Sequence, residues 1–304
     1  MTATAPIVKP PRLRQGDLIG IISPAGPVNE PELQPGQKIL RSSGFKVRLA
    51  PHVYDNRGYL AGDDEVRLDD LHDMFRDPKV KAIFCARGGY GSPRLLDKIR
   101  YNLIKENPKI IVGYSDITSL LMAIYKKTGL ITFHGPMVRD LAKNSCNNWD
   151  NLHRLLSADH LQSLNLREGT ALKPGKAAGP LVGGNLSLIC SLIGTPFLPS
   201  LDRCIVFIEE KGEPLYRLDR MLTHLFLSGQ LKHLSGLIAG QFEDCGDTAA
   251  INEMLMEIVS DLPIPFATGL PVGHGPENTA VPLGLMAELN TERMTLSIME
   301  TCTV

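Results

Sequence analysis

The first 136 residues alternate short apolar runs with segments of helical period, and this alternation constrains the fold more than any other feature. Strand-like runs occupy Asp17–Ser23, Phe45–Ala50, Val80–Ala86, Lys109–Tyr114 and Leu130–Phe133. Helical patterns lie between them at Glu32–Ser42, Glu65–Arg76 and Ser115–Lys127. Strands joined by helices pair in parallel, because right-handed crossover helices are how consecutive parallel strands connect. Such sheets bind ligands beyond the carboxyl ends of their strands. The loops there read RGGYG (Arg87–Gly91), YSD (Tyr114–Asp116) and HGP (His134–Pro136).

The second half is organised differently. Residues 144–179 are mixed and polar, and 165–178 is read as a linker between domains 1–164 and 179–304. Beyond it, strands are expected at Ile205–Ile208, Leu237–Phe242, Ala267–Val272, Leu283–Leu289 and Met294–Met299, the last two forming a hairpin across Asn290–Arg293. Helices are expected at Leu215–Leu227 and Ala249–Ser260. The whole is an α/β protein of two domains. Its 304 residues suffice for both, and its net charge of −1 calls for neither nucleic acid nor an anionic membrane.

Six cysteines (Cys85, Cys146, Cys190, Cys204, Cys245 and Cys302) are widely spaced with no CxxC pair, which reads as a reducing, cytoplasmic setting. Cys85, Cys190 and Cys204 sit in apolar runs as small hydrophobes. The first residues carry no apolar signal core, and no run is long enough to span a membrane. HExxH, HxH and cysteine clusters are absent, so neither a metal nor a cofactor is expected. The first strand's turn, Ser23–Pro27 (SPAGP), also lacks the glycine spacing of a dinucleotide site.

Ser115 stands where a buried strand turns into a helix. A serine there is either a helix N-cap or a nucleophile beside the free N–H groups of the helix start. A nucleophile needs a base, and the base an orienting acid. His274 lies between glycines in PVGHGP, and His134 directly follows a strand; these are the candidate bases. Of the other histidines, His224 reads as structural, and His52, His72, His153, His160 and His233 as surface groups. Glu209, Glu210 and Glu213 end the strand at Ile205–Ile208, and Glu209 comes first after its apolar run.

Taken together, DLIGIISPAGP (Asp17–Pro27), CARGGYG (Cys85–Gly91), VGYSDIT (Val112–Thr118), FHGPM (Phe133–Met137), GGNLSLICSLIGTP (Gly183–Pro196), IEEKGEPLYRLDRML (Ile208–Leu222) and LPVGHGPEN (Leu270–Asn278) resemble the LD-carboxypeptidase family of serine peptidases, which includes microcin C self-immunity peptidases. The resemblance covers nearly the whole chain. It implies a flavodoxin-like N-terminal domain with a parallel sheet, and a smaller, β-rich α/β C-terminal domain with the site between them. It implies a catalytic triad of Ser115, Glu209 and His274, with oxyanion donors at the backbone N–H groups of Asp116 and Gly88. Many members read L-E-D where this chain reads Ile208–Glu209–Glu210, so the resemblance leaves some ambiguity between the two glutamates. The implied reaction is loss of the terminal D-alanine of murein tetrapeptide during cell-wall recycling, by a homodimer. Two further readings stand beside it: hydrolysis of a microcin-type peptidyl nucleotide, for which only Trp149 offers an aromatic group in the middle region, and a two-domain ligand-binding module without catalysis. Arg87 is a candidate partner for the substrate's terminal carboxylate, or a buried structural arginine.

Overall fold

A computed structural model describes residues 6–142, 148–157, 161–166 and 168–304. Cys146 and His160 lie outside the described residues. The front half builds strands β1 (Leu18–Ile22), β2 (Lys46–Leu49), β3 (Val80–Cys85), β4 (Ile110–Gly113) and β5 (Thr132–His134), connected by helices α1 (Glu30–Ser42), α2 (Asp64–Arg76), α3 (Tyr101–Glu106) and α4 (Ile117–Thr128). The strands run parallel in the order β2-β1-β3-β4-β5. That is the flavodoxin-like order, reversing direction between β1 and β3.

Local chemistry fixes these elements. In α1, the Asn29 side chain accepts from the Glu32 N–H while Glu32 accepts from the Asn29 N–H. Such a reciprocal cap stabilises a helix by about 1 kcal/mol. Helix α4 is almost wholly buried, and its residues pack against both sheets. A helix apolar on every side must be covered on every side. The observed covering is the second sheet and helix α6 (Leu186–Leu192).

Helix α5 (Asn148–Ser157) leads to a second sheet of eight strands: β6 (Ser163–Asn165), β7 (Ala171–Lys173), β8 (Lys176–Asn185), β9 (Ile205–Lys211), β10 (Gly236–Glu243), β11 (Phe266–Ala267), β13 (Met286–Asn290) and β14 (Thr295–Ile298). Its centre, β8-β9-β10-β11, is parallel, and antiparallel strands flank it on both sides. Helices α7 (Leu215–Leu227) and α8 (Thr248–Val259) pack against each other. No helix among the described residues is long and apolar enough to cross a membrane.

Three expectations need correction. The stretch 165–178, read as a linker, carries β7 and the first residues of β8 in the second sheet. The run Leu283–Leu289 is not one strand. It breaks at Gly284, whose φ of +101° few other residues adopt, and strand β12 (Val281–Leu283) on one side of the break pairs antiparallel with β5 in the front sheet. The strand expected at Ala267–Val272 ends at Ala267, because Gly269 turns the chain at φ +87°. The β13–β14 hairpin forms as expected, with Asn290 opposite Thr295.

Candidate active site

Ser115 follows β4 by two residues and has φ +62°, in the left-handed region that side chains disfavour. Holding a non-glycine residue there costs about 1–2 kcal/mol. The helix N-cap is Asp116, not Ser115, and the Ser115 hydroxyl caps nothing. The turn instead lifts the serine off the sheet edge, leaving it partly exposed between fully buried neighbours.

The glycine-rich loop after β3 closes over this serine. A Cβ placed on Gly88 would lie 2.9 Å from Ser115 Cβ and 3.0 Å from its Oγ, so only glycine fits without displacement. Among the described residues, neither the Gly88 N–H nor the Asp116 N–H meets an acceptor. The loop is anchored from several directions. The Gly88 carbonyl accepts from the Gly26 N–H at 3.0 Å. The fully buried Arg67 donates to the carbonyls of Pro24 and Gly91. Asp116 accepts from the Ser92 N–H at 2.8 Å. Burial pushes the Asp116 carboxyl up, and the Ser92 bonds oppose that shift.

The back half supplies a second group. His274 Nδ1 lies 2.7 Å from Glu209 Oε2. Glu209 has no solvent exposure, and burial raises its pKa against the lowering effect of His274. Adjacent strand residues point to opposite faces, which separates the two candidate glutamates. Glu210 turns away to accept from Asn185 Nδ2, from Ser187 N–H and Oγ, and from Lys211 N–H. Glu213 lies beyond the strand and pairs with Arg217 at 3.2 Å.

The two halves meet through Tyr114. Its ring centroid is 4.9 Å from that of His274, and Asp140 is close enough to act on its hydroxyl electrostatically. Burial first, then Asp140, hold the Tyr114 phenol well above its ordinary range. Ser115 Oγ and His274 share no hydrogen bond in this conformation; the imidazole lies against the residue before the serine. Catalytic hydrogen bonds are often long in a ligand-free site and tighten around substrate.

His134 is also near but faces inward. It is fully buried against Phe207 and Tyr114, and burial, then the charge of His274, lower its pKa to about 3. A histidine held neutral away from the cleft is packing, not a base. His72, expected at the surface, is buried and accepts from the Arg100 N–H, whereas His224, read as structural, is exposed. Arg87 donates to the Pro27 carbonyl at 2.8 Å and lines an open cleft of about 490 Å³ with Tyr54, Asn56 and Glu30.

Sequence reasoning missed the residues that hold the His274 loop. Gln241, at the end of β10, accepts from the Gly275 N–H at 2.8 Å and donates to the Glu277 carbonyl. Asn278 Oδ1 accepts from the Gly273 N–H at 3.1 Å. Their places at a strand end and in the histidine's own loop were the available signals. Among the described residues, no cluster of three or more His, Cys, Asp or Glu is arranged to hold a metal ion.

Residues 19–135 match the model of the LD-carboxypeptidase N-terminal domain, and residues 178–289 that of the LD-carboxypeptidase C-terminal domain. A probable murein peptide carboxypeptidase of Bacillus subtilis is 39% identical, over 95% of this chain and 94% of its own. The crystal structure of a muramoyltetrapeptide carboxypeptidase from Oxalobacter formigenes superposes at a TM-score of 0.83 with 31% identity, covering 92% of this chain and 98% of that one. The microcin C7 self-immunity protein MccF of Escherichia coli is 28% identical over 99% of this chain and 98% of its own. A solved structure of MccF without ligand gives a TM-score of 0.92 at 25% identity, over 98% and 100% of the two chains.

Proposed function

The chain belongs to the LD-carboxypeptidase family, and from that premise we propose that it is a serine carboxypeptidase that removes the terminal D-alanine of murein tetrapeptide. The observation that carries the reading is the 2.7 Å contact between His274 Nδ1 and the buried Glu209, set against the residue that precedes Ser115. The names of the Bacillus subtilis and Oxalobacter formigenes relatives support the substrate class.

In this reading Ser115 Oγ attacks the carbonyl of the scissile amide as His274 Nε2 takes its proton. Glu209 keeps the other nitrogen protonated and stabilises the imidazolium. The Gly88 and Asp116 N–H groups receive the oxyanion, each worth roughly 3–4 kcal/mol in a comparable site. The imidazolium passes its proton to the departing amine as the C–N bond breaks. Water, deprotonated by His274, then cleaves the acyl-enzyme and restores the serine.

Hydrolysis of a peptidyl nucleotide of the microcin type is the second reading, favoured by the likeness to MccF. Against it, Trp149 is buried in contact with Phe45 and His153, and offers no face to a base. A homodimer belongs to the same proposal; Tyr216, Phe226 and Leu227 of α7 are exposed apolar groups available to cover.

The test is mass spectrometry of murein tri-, tetra- and pentapeptides after incubation with the protein. Loss of D-alanine from the tetrapeptide alone is expected. No cleavage of any of the three, with no labelling of Ser115 by a serine-directed phosphonate, would favour a binding module instead.

A further inference from the structure

A cavity of about 270 Å³ opens against His274, lined also by Tyr114, Asp140, Glu243 and Asn278. Its place follows from the histidine. His274 Nδ1 is turned inward to Glu209, which has no solvent exposure, so the part of the ring left accessible is the Nε2 side. In a serine hydrolase that nitrogen protonates the departing amine, so the leaving residue has to lie beside it. The volume lies just below the ~300–1,000 Å³ of a pocket for a drug-sized ligand, room enough for a small residue.

Asn278, one of the residues lining the cavity, carries a buried side-chain donor. Asn278 is 3% exposed, and its Nδ2 meets no hydrogen-bond partner among the described residues. The amide cannot usefully rotate: Oδ1 already accepts from the Gly273 N–H, and the Asn278 N–H donates to Asn148 Oδ1 at 3.1 Å. A buried N–H left unpaired is destabilising. It persists here in a side chain whose other atoms hold the histidine's loop. Two carboxylates share the cavity. Asp140 has Arg139 at 3.8 Å and the Tyr114 hydroxyl as neighbours, while Glu243, at the end of β10, is half-exposed.

Resting on the carboxypeptidase reading above, we propose that this cavity is the subsite for the leaving D-amino acid, with Asn278 Nδ2 donating to its terminal carboxylate. A carboxylate supplies the acceptor that the orphaned N–H lacks. The amide supplies it without a cation, so the released amino acid is held only weakly. Glu243 faces the same space with like charge and opposes the carboxylate.

The test compares wild type with Asn278→Asp, Asn278→Ala and Glu243→Gln on murein tetrapeptide. Asn278→Asp keeps an oxygen that accepts from Gly273 and exchanges the donor for a charged acceptor that repels a carboxylate, so it remains informative where Asn278→Ala misfolds. The expected result is a rise in KM of about tenfold or more for Asn278→Asp, the scale of a lost hydrogen bond to a charged group, with a fall in KM for Glu243→Gln. An unchanged KM in Asn278→Asp, or a rise in Glu243→Gln as a cationic occupant would give, overturns the proposal. Binding of D-alanine, followed by ligand-observed NMR, needs no turnover and separates this proposal from the catalytic one. Wild type is expected to bind D-alanine and Asn278→Asp to bind it at least tenfold more weakly; equal binding, or none to wild type, overturns the subsite.

Discussion

Glu209 Oε2 lies 2.7 Å from His274 Nδ1, although 65 residues separate the two along the chain. Strand β9 delivers the carboxylate to a site without solvent, and the loop held by Gln241 and Asn278 brings the ring to it. Glu209→Gln replaces an obligate acceptor with an amide that can present a donor. The imidazole then favours the wrong tautomer, and kcat is expected to fall on the order of 10³–10⁴-fold. Glu210→Gln is the control. It weakens the bonds to Asn185, Ser187 and Lys211, costing about 1–3 kcal/mol of stability, while leaving most of kcat. Steady-state kinetics beside urea denaturation distinguish the two; equal kinetic losses would remove Glu209 from its role.

The Ser115 backbone supports a prediction in which activity and stability move in opposite directions. At φ +62° a side chain is disfavoured and glycine is not. Ser115→Gly is therefore expected to abolish turnover and to stabilise the fold by about 1 kcal/mol. Ser115→Ala, which keeps a Cβ, is expected to lose turnover with little change in stability. Retained turnover in either variant rules out the nucleophile.

Much of this was legible in the sequence, and the physical reason is locality. The apolar runs of β1 to β5 and the helices between them announce themselves by period, and their alternation fixes parallel pairing. The turn at Ser115 was visible as a strand end meeting a helix start. Which of Glu209 and Glu210 faces the histidine was not, because alternation says only that they differ, and the partner lies in another segment. The crossing of β12 into the front sheet was hidden for the same reason: Val281–Leu283 and Met286–Asn290 read as neighbours, and only their partners, β5 and β8, tell them apart. Gln241 and Asn278 carry no signal beyond their places near a strand end and in the histidine's loop; their role exists only once the His274 loop has folded against them.

Gly88 tests the closeness of the glycine-rich loop. In Gly88→Ala the new methyl would stand 3.0 Å from Ser115 Oγ, tighter than ordinary contact. Either the loop or the serine must shift by a few tenths of an ångström, and the N–H of residue 88 shifts with it. Small displacements at a reacting centre cost about 10²-fold. The loss is expected in kcat rather than KM, because an oxyanion forms only in the transition state. A loss confined to KM would place Gly88 in ground-state binding.

His134 should leave its mark on acid stability. Folded, its pKa is lowered to about 3 by burial and by the charge of His274; unfolded, it returns to about 6.5. Its stabilising contribution is thus complete above pH 6.5 and is lost as pH falls from there toward 3, because the unfolded chain binds a proton that the folded one refuses. One such group costs about 1.4 kcal/mol per pH unit within that window, so between pH 6.5 and pH 5 the loss is on the order of 2 kcal/mol. His134→Met fills a similar space between Phe207 and Tyr114 and cannot titrate. Urea denaturation at pH 7.5 and pH 5 should show wild type losing about 2 kcal/mol more than the variant over that interval. Equal losses in the two proteins would mean that His134 accepts a proton inside the fold, and that its burial against Tyr114 does not keep it neutral.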